Sequence, residues 1–152
     1  MSERPLIFID PYPRNQEMVF SEATEKILRD LGRLVIHFGS RAPEELVEEI
    51  LPEVQVIIGQ TAMPRERLDR APKLRAIFNV KANWEPNIDY AEAHARGIHV
   101  LSAAPAMAPA VAECCRGQAI TRARGLQHAD PLFRETQEVY GIGGNTKAYS
   151  LY

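Results

Sequence analysis

Apolar residues in this chain fall into short consecutive runs, separated by longer stretches where charged and apolar positions mix. The runs cover residues 5–10, 34–38, 54–59, 74–80 and 98–101. Positions that are apolar in succession, rather than alternately, fit strands covered on both faces, as in a parallel sheet. The stretches between them have helix signals. Ser21 can cap a helix running to about Leu31 with Gly32 as its stop, and Pro43 suits the first turn of a helix whose Glu44 and Glu45 favour the positive N-terminal end. Pro64 does the same before 65–70. Asn87 can cap a helix over 88–96, and Gly97 can end it and turn the chain into the fifth run. Strands alternating with helices in this way predict an α/β fold, a flavodoxin-like five-stranded parallel sheet with helices on both faces.

After Leu101 the pattern changes. A Pro- and Ala-rich connection over 102–108 leads to a long helix expected to begin at Pro109 and end near Gln127. Ala110, Ala112, Gly117, Ala119, Ala123 and Gly125 give that helix small side chains, which permit close backbone approach and are read as a packing seam against another element or subunit, surface composition alone being the plainer alternative. The tail from Pro131 onward, with Gly141, Gly143 and Gly144 around Ile142, predicts loop rather than regular structure.

Composition narrows the class. The chain has 152 residues, enough for one core and marginal for two, so one compact domain with an appendage is expected. Its formal net charge is -2, with no cationic excess to neutralise phosphates or to hold an anionic membrane, so nucleic acid and membrane are not expected partners. No stretch approaches the roughly 20 apolar residues that span a bilayer, and no secretory leader is recognised, which predicts a cytoplasmic protein. Cys114 and Cys115 are adjacent, a geometry that strains a bridge, and lie in no metal-ligand spacing; a reduced, buried pair is expected.

Candidate chemistry is sparse. The glycines of 141–144 would need a strand before them and a helix after them to cradle a phosphate, so a turn-forming segment is the better reading. Asp10 ends the first run as a phosphoacceptor receiver would require, but the third ends Gly59-Gln60-Thr61 without a carboxylate. A flavin-binding flavodoxin needs amide donors after the first strand, where Pro11-Tyr12-Pro13 stands instead. His37, His94, His99 and His128 lack an acidic partner at a spacing that would orient an imidazole as a base, and Glu113 reads as a helical surface charge. The segment from Asn79 to Trp84 is the most suggestive. Ligands of open α/β sheets sit beyond the carboxyl ends of the strands, where free amides meet a carboxylate and Lys81 would add positive charge. A surface lysine and a tryptophan covering the core are the plainer alternatives.

Ile88-Asp89, the Arg96-Gly97-Ile98 turn into Val100, Pro105, and Val111-Ala112-Glu113 stand in an order and spacing that resembles the N-terminal part of D-isomer-specific 2-hydroxyacid dehydrogenases. The resemblance implies a substrate-binding domain over 1–104, and over 105–152 a crossover helix and tail leading to an absent nucleotide-binding domain. It implies that the loop amides of Val80, Lys81, Ala82 and Asn83 bind the carboxylate of a small 2-hydroxy or 2-oxo acid, although the glycines usual in that loop are missing. It implies a homodimer through the 109–127 helix, where Arg116 and Arg122 replace usual apolar residues. NAD or NADP is implied for a complete protein that moves a hydride to or from the acid, while this chain alone, a truncated portion, is expected to bind no cofactor and to be inactive; no catalytic or metal residue is assigned. The alternative is a non-catalytic binding or dimerisation module that keeps the fold.

Overall fold

In the computed structural model the described residues are 4–136. The chain divides into two compact units, Met1–Pro105 and Ala106–Tyr152.

The first unit is built on five strands: β1 (Leu6–Asp10), β2 (Arg33–Ile36), β3 (Val54–Gly59), β4 (Ala76–Asn79) and β5 (His99–Ser102). All pair in parallel, in the order β2-β1-β3-β4-β5. That is the flavodoxin-like order expected, with its reversal between β1 and β3. The connecting helices are α1 (Gln16–Val19), α2 (Glu22–Leu31), α3 (Glu44–Ile50), α4 (Arg65–Asp69) and α5 (Tyr90–Ala95). Successive strand residues point to opposite faces. One face carries Phe8, Ile57 and Ile77, aligned across three strands and packed with Val47 and Ile50 of α3, Leu68 of α4 and Ala93 of α5. Burying the larger of these apolar side chains, each worth about 1.5–3 kcal/mol, is what holds the helices to that face. The opposite face is closed at β1, where Ile7 and Ile9 are buried. Toward β4 and β5 it opens, and the register neighbours Phe78 and Leu101 are 42% and 44% exposed.

Local chemistry explains the element ends. Ser21 accepts from the Thr24 amide at 3.2 Å and starts α2 as expected. Asp89, not Asn87, caps α5: its carboxylate accepts from the Glu92 amide at 3.0 Å. Asn87 instead donates to the Thr61 carbonyl at 3.3 Å and ties two loops together. Gly59 lies so close to β1 that a Cβ there would stand 2.0 Å from the Asp10 carbonyl oxygen. Only glycine permits that approach.

The long helix differs from the sequence expectation at both ends. It runs as α6 (Ala104–Ala123), five residues earlier than Pro109 suggested, with Pro109 inside it. The Ser102 hydroxyl accepts from the Ala104 amide at 3.4 Å, so the start moves back to a residue that can serve that end, and Pro105 falls in the tolerant first turn. The helix stops at Gly125, whose φ of +67° breaks it, and α7 (Leu126–Thr136) follows where an irregular tail was expected from Pro131. α6 buries none of its residues, so Cys114 and Cys115 are free and exposed rather than buried. The glycines of 141–144 lie outside the described residues. No helix among the described residues is long and apolar enough to cross a membrane.

Candidate functional site

The C-terminal ends of the strands bring together residues distant in sequence. At the β1/β3 reversal, where open α/β sheets ordinarily take a ligand, Asp10 is buried. Its carboxylate accepts from the Ala42 amide at 3.2 Å and from the Thr61 hydroxyl at 3.2 Å. Arg41 donates to the Gln60 carbonyl at 2.9 Å alongside. A negative charge in this position disfavours an anion there.

Beside it, at the ends of β3 and β4, stand Gln60, Asn79 and the loop that follows β4. Gln60 Nε2 donates to Asn79 Oδ1 over a long 3.5 Å, and both side chains are buried. Asn79 Nδ2 has no hydrogen-bond partner. The loop begins with the four residues expected from sequence: Val80, Lys81 and Ala82 are half-buried and Asn83 is exposed. It is fixed at both ends. The Ala103 amide donates to the carbonyls of Asn79 and Lys81, at 3.1 and 3.3 Å, and the Tyr90 hydroxyl donates to the Glu85 carbonyl at 2.5 Å. Between these anchors the backbone amides of Val80, Lys81, Ala82 and Asn83 donate to no described acceptor. Lys81 Nζ pairs with Glu85 Oε1 at 3.1 Å, so its charge is already partnered. Trp84 is 62% exposed and meets the Tyr90 ring edge-on at 5.2 Å between centroids, which makes it an outward loop residue rather than a cover for the core.

The sequence located this loop but missed its surroundings. Gln60 and Thr61 reach the site only through the register of β3 with β1 and β4, which no local pattern encodes. Glu85 was within reach, since its spacing from Lys81 is a common ion-pair spacing. The histidines stay apart: His37 shares a hydrogen bond with Ser40 at 3.0 Å, and His94, His99 and His128 are exposed. Among the described residues no group of three His, Cys, Asp or Glu is placed to hold a metal ion.

A dinucleotide needs a glycine-rich turn between a strand and a helix N-terminus. The turns after β1, β2, β3, β4 and β5 open on Pro11, His37, Gln60, Val80 and Ala103; the first contains two prolines without amide protons, and the second has Gly39 alone rather than a glycine-rich run. The described residues therefore do not fit a nicotinamide dinucleotide, and no hydride step is assigned to them.

A five-stranded parallel sheet in this order, with helices between its strands, defines a flavodoxin-like α/β domain. The profile of the catalytic domain of D-isomer specific 2-hydroxyacid dehydrogenases matches residues 16–150, and the chain belongs to that family. D-3-phosphoglycerate dehydrogenase of Methanocaldococcus jannaschii is 32% identical over 105 residues, which cover 68% of this chain and 20% of that protein. A solved phosphoglycerate oxidoreductase from Rhizobium etli is similar with a TM-score of 0.74 and 35% identity, covering 95% of this chain and 44% of that one. A Pyrococcus horikoshii OT3 protein has a TM-score of 0.67 at 25% identity, covering 90% of this chain and 39% of its own. The chain thus spans less than half the length of these relatives.

Proposed function

We propose that this chain is the substrate-binding portion of an NAD- or NADP-dependent 2-hydroxyacid dehydrogenase. It holds the carboxylate of a small 2-hydroxy or 2-oxo acid on the backbone N–H groups of Val80, Lys81, Ala82 and Asn83. The observation that carries this reading is the row of four successive amides without a described acceptor beyond β4. A carboxylate accepts at roughly four lone-pair sites, and its bonds to amides are charge-assisted. Asp10 supports the same location by disfavouring an anion at the sheet reversal. Family membership supports the ligand class.

In the complete protein, hydride would pass between the nicotinamide and C2 of the acid, both held between two domains. Residues 1–104 would form the acid-binding domain, and 105–152 would lead through the crossover helix to a nucleotide-binding domain. The chain by itself binds acid without turning it over. The test is a titration of the 15N-labelled chain with D-lactate and with glyoxylate, followed by NMR. Amide shifts concentrated on 80–83 are expected; shifts absent there, or concentrated around Asp10, would defeat the assignment.

A further inference from the structure

We propose that Asn79 is a further acid-binding residue, donating from its buried, unpartnered Nδ2 to a carboxylate oxygen of the acid held on the amides of 80–83. The inference rests on the reading of that loop as the acid site. Asn79 is 2% exposed and is the last residue of β4, one position before the first free amide. Buried side-chain donors almost always find an acceptor, and one that does not calls for a missing partner. Here Nδ2 has none.

The contact with Gln60 orients the Asn79 side-chain amide. Oδ1 faces Gln60 Nε2, so the planar group turns Nδ2 to the other side, and exchanging the two atoms would set one NH2 against another. The Asn79 carbonyl is occupied by the Ala103 amide, which fixes the backbone of this residue while leaving the side-chain donor unused. The nearby cation is not equally available. Lys81 Nζ is already engaged by Glu85, so an entering carboxylate meets neutral donors first. With the backbone amides of 80–83, the Asn79 side chain would complete the set of donors for the acid at the end of one strand. Val80 and Ala82, which follow Asn79, are half-buried.

The experiment follows the Asn79 side-chain NH2 resonances of the 15N-labelled 152-residue chain, with the backbone amides of 80–83, during titration with D-lactate and glyoxylate. Both sets are expected to move with one binding curve. Asn79→Asp, which keeps the shape and the acceptor for Gln60 but replaces the donor with a carboxylate oxygen, is expected to weaken binding at least about tenfold. Asn79→Leu is expected to weaken it as well. If the loop amides shift while the Asn79 NH2 stays still, or if Asn79→Leu binds as the parent does, the inference is overturned and the loop assignment survives. If the loop amides do not shift, the loop assignment fails and this inference falls with it. Should either variant not fold, the side-chain resonances of the parent chain decide the question alone.

Discussion

Asp10 illustrates how one side chain can shape a sheet edge. Its carboxylate accepts from the Ala42 amide, which follows β2, and from the Thr61 hydroxyl, which follows β3. Asp10→Ala would leave a buried hydroxyl and an amide without their acceptor, and is expected to cost about 2 kcal/mol, read as a lower urea midpoint with unchanged slope. Asp69 works at the surface. The Arg96 guanidinium, which donates to it and also to Glu92, holds the Asp69 carboxyl below its ordinary value and links α4 to α5. A folded-state pKa below the unfolded value of about 3.9 gives stabilisation that is present above that pH and lost as pH falls through the folded value. Asp69→Asn should therefore flatten the acid limb of the stability curve below about pH 4, and added salt should shrink the difference because the pair is exposed. An NMR titration placing the Asp69 midpoint at or above the ordinary value would contradict this. At this scale the sequence showed Asn79 and Lys81 as neighbours in one suggestive segment. It hid the partners of Asp10, 32 and 51 positions away, and of Asn79, 19 positions away, which meet them only in the folded sheet.

Strands were the most legible elements because each is built on a short, mostly apolar run. β3 occupies 54–59 as read, and the others end within two residues of their runs. Helix starts were less legible, since several residues near each start could serve as caps. Asp89 supplanted Asn87, whose amide is used between loops, and α1, a single turn capped by the Asn15 side chain, carried too short a pattern to be noticed. Pro109 marks a plausible helix start in isolation, yet Ser102 and Pro105 supply an earlier one. The two faces of β4 provide a direct check on the sheet. Ile77→Ala, at a residue 1% exposed, should cost about 2–5 kcal/mol, whereas Phe78→Ala on the open face should cost less than half as much. Equal losses in chemical denaturation would mean that the face carrying Phe78 is covered.

For the whole molecule, the sequence carried the five-stranded parallel order through its alternation of strands and helices, and the family through a few spaced residues. It could not show that α6 leaves Met107, Val111 and Ile120 exposed, because burial of a helix depends on what stands beside it and not on its own composition. Exposed apolar side chains along one helix are what a second subunit would cover, and the homodimer that the family resemblance implies is open to a direct test. Sedimentation should then show a dimer that dissociates on dilution, shifted to monomer by Val111→Glu. A monomer at every concentration, identical in parent and variant, would rule that homodimer out.

Trp84 is the sole tryptophan of the chain, and it stands in solvent against the edge of Tyr90, beside the four free amides. Its indole gives the protein a built-in optical reporter: any acid that settles on those amides alters the water and the charge around this ring, and the emission of the unlabelled protein records its arrival.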